Sequence, residues 1–548
     1  MGFVACLSRE RQDAPKFWRL QFAETMTAME MSGTQTKGEV PLSFSHQQIL
    51  RVLSGILLCI FLAAIDQTVV IPAVPAMAAD LHGFSHLAWI VSAYLLTSTA
   101  MTPVYGKLSD IYGERKPLLV ALAVFGLAST FCALSHNLWQ LVAARAVQGI
   151  GGAGLMAMSQ AAIADVVSPR ERGRYQGYMA STWGIASIAG PIVGGWITDT
   201  LTWRWIFWFN LPLALIAMLL CDRALRVLRP RAREARIDWA GAMLLTAAVS
   251  AWLLVLSWGG VEMSWTAPPL LGLAVLGLLL MLLLVRQERR VLDPLLPPRL
   301  FANAVFVRGV AIAFCGSLGL FAGSFLLPLF FQLVRGVDAA TSGALVVPFL
   351  GSNCAGAWFA GSLARRRGKM KGIMIAGVTA TLAGFVLLTF TGTTTPQAVL
   401  VAFQLVLGFG IGMVMPSALV CVQNTAERRD VGAATGCLLF LRSMGGAFGT
   451  TLVGALLASG FASRLARIGI TAHIDLGDIH QGSKGLPGVT QAMLPHVEAA
   501  LAGAFHLAFV ACAAAMAVGL VILAGMRDLP LRTSAAGEPP PEPAALAH

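Results

Sequence analysis

An all-α polytopic membrane protein of fourteen spans, with both termini in the cytoplasm, is the fold this sequence predicts, and three observations predict it. Of 548 residues, 57% are hydrophobic and only 12% charged, whereas a soluble domain carries about a quarter of its residues as charges. The apolar residues also gather into runs of about the length, roughly 20 residues, that a bilayer crossing needs. These runs fall near 49–72, 86–105, 117–135, 138–164, 174–197, 203–221, 238–258, 268–286, 305–331, 341–364, 372–391, 396–420, 431–459 and 499–526. Thirdly, Lys and Arg collect in alternate connections, as cytoplasmic loops require.

The alternation is regular. Lys107, Arg115 and Lys116 follow the second run; Arg170, Arg172 and Arg174 the fourth; six arginines between Arg223 and Arg236 the sixth. Arg286, Arg289, Arg290 and Arg299 follow the eighth, Arg365 to Lys371 the tenth, and Arg428 and Arg429 the twelfth. The intervening connections hold little beyond Arg204, Arg335 and a longer thirteenth one with Arg464, Arg467 and Lys484. The net charge of +12 is therefore mostly a topology signal, with no basic face for nucleic acid. All nine cysteines except Cys6 lie in or beside apolar runs, without a CxxC pair or a histidine cluster, so neither disulfides, a metal nor a cofactor is expected.

Residues 1–47 read as a polar cytoplasmic extension, and the first apolar run comes too late and runs too long for a cleaved signal peptide. Met26, Met29 and Met31 stand just upstream, and the natural start is expected among them. Span one carries Ile65-Asp66-Gln67-Thr68 and, further on, Ile71-Pro72. A carboxylate in hydrocarbon must turn inward and is a functional candidate, the alternative being a neutral hydrogen-bonded carboxyl. Helical rise puts Asp66 about 25 Å from the cytoplasmic end of its span.

After span two comes Gly106-Lys107-Leu108-Ser109-Asp110-Ile111-Tyr112-Gly113-Glu114-Arg115-Lys116. Glycines at both ends permit a tight reversal, Asp110 can accept hydrogen bonds, and Arg115 and Lys116 suit the anionic inner leaflet. Span four holds Arg145-Ala-Val-Gln148-Gly149-Ile-Gly151-Gly152-Ala-Gly154. Its GxGxxG lacks a preceding strand and a ribose-binding acid, so it is no dinucleotide site. Arg145 lies about 20 Å from the inner face, within a helical turn of Asp66 in height; it either pairs with Asp66 or caps carbonyls while snorkelling outward. Gln148, one turn on, is a candidate to face substrate.

Span five carries Ala186, Gly190, Pro191, Gly194 and Gly195. On spacing alone this is either small-residue helix packing or a helix weakened on purpose at the depth of Asp66. Trp203-Arg204-Trp205 and Asn210-Leu-Pro212 open span six, where an aromatic belt is the plain interfacial account. Spans seven and eight form a hairpin with Glu262 in its outer, solvated loop. Beyond it the chain repeats itself weakly: Gly361 to Lys369 stands like the Gly106 loop with Arg365 in the place of Asp110, and Gln404-to-Gly412 aligns with Arg145-to-Gly152, so Gln404 takes the place of Arg145. Two repeated six-span halves are transporter architecture. Gln404 and Arg442 are candidate substrate-facing residues; for Arg442 the alternative is snorkelling to the cytoplasm. The Pro-rich tail reads as disordered.

Several of these strings, in this order, resemble the major facilitator superfamily: Gly106-x-Leu108-x-Asp110-x-x-Gly113 between spans two and three, Arg145-x-x-Gln148-Gly149 in span four, and Gly190-Pro191-x-x-Gly194-Gly195 in span five. Glu114 departs from the first pattern, where a basic residue is usual, and Ala186 stands at a variable glycine position of the last. Asp66-x-Thr68-Val-Val, Trp203-Arg204-Trp205-Ile-Phe207 and Asn210-x-Pro212 are similar to the fourteen-span drug:proton antiporter branch, although Ile71 replaces a more usual Asn. The resemblance implies the major facilitator fold: a cytoplasmic extension 1–47, a six-helix bundle 48–222, a linker with two inserted helices 223–290, a second bundle 291–530 and a tail 531–548. It further implies proton-coupled export of small amphipathic compounds across a plasma membrane, a bacterial inner membrane being expected. Asp66 and Arg145 would couple protons. Gly106, Asp110, Gly113, Arg115 and Lys116 would form a conformational switch, and Ala186 to Gly195 an antiporter helix that hinders leak. Partners are then substrate, protons and lipid; a periplasmic adaptor and an outer-membrane channel are conceivable further partners without a readable signature.

Other classes fit less well. An ATP-driven pump needs GxxxxGK[ST], and both Gly106-Lys107-Leu108 and Gly368-Lys369-Met370 lack the upstream glycine and the hydroxyl. No clustered nucleophile, base or metal set supports an enzyme. Proton-coupled symport of a specific metabolite is the alternative, which the Gly190-Pro191 helix argues against.

Overall fold

The computed structural model describes residues 46–81, 88–227, 238–259, 263–291, 293–467 and 494–532. The expected N-terminal extension up to 45, the alternative starts, Glu262, four of the six arginines between 223 and 236, Lys484 and the tail from 533 lie outside the described residues.

Long helices account for nearly everything described: α1 His46–Val69, α2 Ala88–Tyr112, α3 Arg115–Ala133, α4 Leu138–Val166, α5 Pro169–Thr200, α6 Arg204–Ala224 and α7 Trp239–Trp258. They continue as α8 Pro268–Glu288, α9 Ala304–Leu333, α10 Ala339–Arg367, α11 Lys371–Leu388, α12 Gln397–Thr425, α13 Val431–Arg467 and α14 Leu494–Ala524. Helices are what an apolar chain in lipid must form, since each satisfies its own backbone. Their starts follow local chemistry: the side chains of Asn137, Asp238, Asn303 and Asp338 accept hydrogen bonds from the first-turn amides of α4, α7, α9 and α10.

Twelve of these helices are long and apolar enough to cross a membrane; α2 and α5 are long enough but not apolar enough. The reason is compositional. α5 opens on Arg170, Glu171, Arg172 and Arg174, and α2 carries Ser92, Thr97, Ser98, Thr99 and Thr102. In the structure both are packed on several sides, α2 by α4, α7 and α13 and α5 by α1 and α10; Ser92, Ser98, Thr99 and Thr102 line a cavity, Arg172 is buried, and Arg170, Glu171 and Arg174 are exposed at the start of α5.

The helices α1 to α6 pack among themselves, as do α9 to α14, and the two sets meet mainly through α2 against α13 and α5 against α10. α7 pairs with α8 and leans on α2 and α13. α8 presents Leu271, Val275, Leu278, Leu279 and Leu282 outward, each more than half exposed, a surface that only lipid suits. Gly149, Gly151 and Gly154, the GxGxxG of α4, pack that helix on Tyr94, Phe125 and Tyr105 of its neighbours.

At one end of the bundle the two sets are latched. Asp110, at the end of α2, accepts hydrogen bonds from the Gly432 and Ala433 amides at 2.7 Å each, so a carboxylate caps the start of α13, where free amides and the helix dipole favour an anion. Gly106 lies so close to Gly432 that a Cβ on either would strike the other's carbonyl. Arg299 holds Asp430 with two contacts of 2.7 Å. The second meeting place mirrors the first: Gly173 of α5 touches Gly361 of α10, and Arg170 Nε donates to the Arg365 carbonyl at 3.0 Å. The matching turns reverse at Gly113 (φ 71°) and Gly368 (φ 66°), left-handed positions that glycine fills without strain.

Cutting the latch should open this end. In Asp110→Asn one of the two amide contacts is lost, at about 1.5–3 kcal/mol for a bond to a charged group. Spin labels at the exposed positions Tyr112 and Arg366 are expected to show a longer-distance population that the wild type lacks. An unchanged distance distribution would mean that Asp110 does not hold the halves.

Candidate functional site

Asp66 and Arg145 meet in the interior of the first helix set. Both are fully buried, at 0% and 1% exposure, and Arg145 Nη1 lies 2.7 Å from Asp66 Oδ2. Helical rise alone brought them to one height; their pairing turns two costly charges into one satisfied unit, since a lone ion at membrane depth is expensive.

The pair is closed by neutral groups from three more helices and from α4 itself. Asn210 Nδ2 donates to Asp66 Oδ1 at 2.7 Å, and Gln148 Nε2 donates to the same oxygen at 3.0 Å. Arg145 Nη1 also donates to Gln148 Oε1 at 2.8 Å, and Arg145 Nε to the Ile90 carbonyl at 3.3 Å. Ser129 of α3 accepts from both amides and donates to the Phe207 carbonyl at 2.9 Å. The Tyr94 ring covers the guanidinium at 4.4 Å, a cation–π contact. The network thus ties α1, α2, α3, α4 and α6 together. Gln148 belongs to it and is wholly buried, so it does not line the large cavity. Asn210 and Ser129 were not among the candidate residues. Asn210 had a signal in the Asn-x-Pro pattern; Ser129 had none, being one hydroxyl in an apolar span.

The span-five residues divide by helical face. Ala186, Gly190 and Gly194 are buried and spaced by four, so they form a smooth strip against α1: the Thr68 hydroxyl donates to the Ala186 carbonyl at 3.0 Å, and a Cβ at Gly190 would strike Thr68. Pro191 is exposed and a Cβ at Gly195 would meet nothing within 4 Å. Helix α5 runs through Pro191 without interruption from Pro169 to Thr200.

Arg115 pairs with Asp222 at 2.6 Å, with both side chains partly exposed, where such pairs contribute little. Lys116 is exposed, while Glu114 is buried and accepts from Ser109 at 2.8 Å.

A cavity of about 1230 Å³ lies between the two helix sets, lined by α1, α2, α4, α5, α7, α9 and α13. It reaches from Thr102 and Leu439, just above the latch, to Gly259 and Ala466 towards the other end. Gln67 lies on its wall while Asp66, the next residue, points away into the network. Arg442 is on the wall too, with no ion pair or hydrogen bond among the described residues. Gln404 is elsewhere, buried against α10 with both amide atoms unpartnered.

These environments set an order of stabilities. Arg145→Met strands a buried carboxylate and should cost about 3–5 kcal/mol; Asn210→Ala removes one of three donors to Asp66 and should cost about 1–3 kcal/mol. Gln404→Met removes an amide that has no partner, and is expected to be neutral or stabilising. Thermal unfolding of the purified variants in detergent measures all three; a strongly destabilised Gln404→Met would contradict the burial seen here.

Known proteins are similar to this chain in sequence and in fold. The chain is 35% identical over 406 residues to the multidrug transporter protein MdtP of Bacillus subtilis, covering 74% of this chain and 75% of that one. It is likewise 35% identical over 424 residues to the MFS-type efflux pump LUC4 of a Fusarium species, covering 76% and 75%. In fold it is similar to the proton:xylose symporter XylE, with a TM-score of 0.57 over 90% of this chain and 99% of that one at 14% identity. The human organic anion transporter MFSD10 gives a TM-score of 0.58 at 16% identity, over 86% and 99%. With the family model of the Major Facilitator Superfamily matching residues 56–450, the chain belongs to that superfamily, whose members are transporters and not enzymes.

Proposed function

We propose that this protein is a fourteen-span antiporter exporting small amphipathic compounds in exchange for protons. One observation carries it: an Asp66–Arg145 pair, buried at membrane depth, stands one residue behind the wall of a large cavity between the two helix sets. The multidrug and efflux roles named for its relatives support export. Counting α2 and α5 as spans gives fourteen, with two six-helix bundles at 48–222 and 291–530 and an inserted pair at 223–290. The basic connections then put both termini and the latched end in the cytoplasm. A bacterial inner membrane is the expected location, although fungal relatives exist as well.

In this mechanism Asp66 accepts a proton from outside and gives it up to the cytosol, Arg145 holding its charge in between. Protonation turns one acceptor oxygen of Asp66 into a donor, so the match with Arg145, Gln148 and Asn210 cannot survive intact. Helices α1, α4 and α6 then rearrange. The strip of Ala186, Gly190 and Gly194 passes this movement from α1 to α5 through Thr68, and the Asp110 latch switches between closed and open. Pro191 and Gly195 face lipid, so their part is helix flexibility rather than packing. Substrate and proton occupy different places, and exchange follows from conformational coupling.

Everted membrane vesicles with an acidified lumen test this directly. Amphipathic compounds from a panel of acids, neutral molecules and amines are added while the proton gradient is followed by a fluorescent weak base. At least one is expected to dissipate the gradient in wild type, and none in Asp66→Asn. Vesicles that behave like empty ones across the panel would end the proton-exchange proposal.

A further inference from the structure

Among the described residues lining the cavity there is no Asp or Glu, and the single charged group is Arg442. Its surroundings are hydroxyls and hydrocarbon: Ser443, Thr102 and Ser317 on one hand, Leu439, Phe321 and Phe325 on the other. Counted along α13 from the Gly432 latch, Arg442 is about 15 Å up, close to the bilayer midplane. Arg145, the other intramembrane arginine near this cavity, has a carboxylate at 2.7 Å; Arg442 has none. Ser317 gives a second, independent sign. It is wholly buried, lies on α9 among the residues lining the same cavity, and its hydroxyl has no hydrogen-bond partner among the described residues.

We infer that Arg442 and Ser317 form the anion-binding end of the substrate site, and that the preferred cargo is an amphipathic acid: one carboxylate or sulfonate on an apolar body. A planar guanidinium offers paired N–H donors that match a carboxylate, and Ser317 can supply a third. The walls formed by Leu95, Leu96, Trp183 and Phe461 receive the apolar part. A lipophilic cation meets the opposite situation, because Arg442 repels it and no acidic group among the described lining residues compensates. The inference rests on the export proposal for direction only; it concerns what the cavity binds.

Equilibrium binding separates the two, since no gradient is involved and a failure of proton coupling leaves it standing. Full-length protein in phosphatidylcholine nanodiscs is titrated with labelled 1-naphthaleneacetate and dodecanoate, against their amides and the corresponding amines. Each acid is expected to bind at least about tenfold more tightly than its amide, and the amine most weakly. Arg442→Gln should weaken the acids by about 10- to 100-fold, as for a lost charge-assisted contact, and leave the amides unchanged. Arg442→Lys should keep the preference for acids in reduced form, and Ser317→Ala should lower acid affinity by a few-fold. If Arg442→Gln loses the amides too, Arg442→Lys decides. Amines binding as well as acids, acid preference surviving Arg442→Gln, loss of that preference in Arg442→Lys, or no saturable binding of either acid would each overturn the assignment.

Discussion

The membrane offers a charged group no solvent, and the first helix set is built around the answer to that constraint. Asp66 and Arg145 satisfy each other, but one ion pair leaves lone pairs and N–H groups over. Gln148 and Asn210 on the carboxylate, the Ile90 carbonyl and Tyr94 ring on the guanidinium, and Ser129 behind both amides use them. Five helices contribute, so the polar network fixes their rotation about their own axes, which hydrophobic contacts alone leave loose when lipid is as apolar as the helix surface. Packing follows from it: once α1 is turned to present Asp66 to α4, Thr68 necessarily faces the Ala186 strip of α5 and Gln67 the cavity.

The two helix sets show the same backbone plan with different side-chain chemistry. Gly106 to Gly113 and Gly361 to Gly368 have equal spacing, and each ends on a glycine with positive φ. Yet Asp110 uses its carboxylate on helix-start amides, whereas Arg365 offers only its carbonyl, to Arg170. A carboxylate at a helix start is a stronger latch than a guanidinium on a carbonyl. The α5–α10 seam relies on neutral contacts as well, Trp358 Nε1 donating to Ser181 at 3.0 Å and the Tyr178 and Trp358 rings meeting edge to face at 4.5 Å. Gln404 repeats the position of Arg145 without a partner for its amide.

Much of this was legible in the sequence, for definite reasons. Apolar runs of bilayer length located every long helix, since each must satisfy its backbone within itself. Equal depth predicted the meeting of Asp66 and Arg145, because rise per residue is fixed and ions in lipid need partners. Depth says nothing about rotation, and there the residue-level reading stopped. Gln148 follows Arg145 by three positions and so shares its face, which turns it to Asp66 and away from the cavity. Pro191 and Gly195 lie in the same motif as Gly190 and Gly194 but one position around the helix, and face outward. Ser129 and Asn210 carry no charge and have no periodic signal, so only the packed structure brings them to the carboxylate. Averaged over a full span, hydropathy is lowest for α2 and α5, because hydroxyls of α2 line the cavity and α5 opens on a charged, mostly exposed turn.

Placing the carboxylate and the cavity wall on consecutive residues has a mechanical consequence. Gln67 and Asp66 are on one rigid turn of α1, about 100° apart around its axis as the helical repeat of 3.6 residues requires. Neither can move without the other. A change in the network at Asp66 therefore reaches the cavity as a rotation or shift of Gln67, and a solute pressing on Gln67 or on Trp183 of α5 acts back on Asp66 through Thr68 and the Ala186 carbonyl. Such coupling is reciprocal by necessity: whatever factor the proton imposes on solute affinity, the solute imposes on proton affinity. Arg442, on α13 and unpaired, takes no part in that turn and stays available to the solute. Keeping the two arginines on different helices, one neutralised within the protein and one not, is what would let a single fold hold the proposed proton site and the proposed anion site without the one cancelling the other.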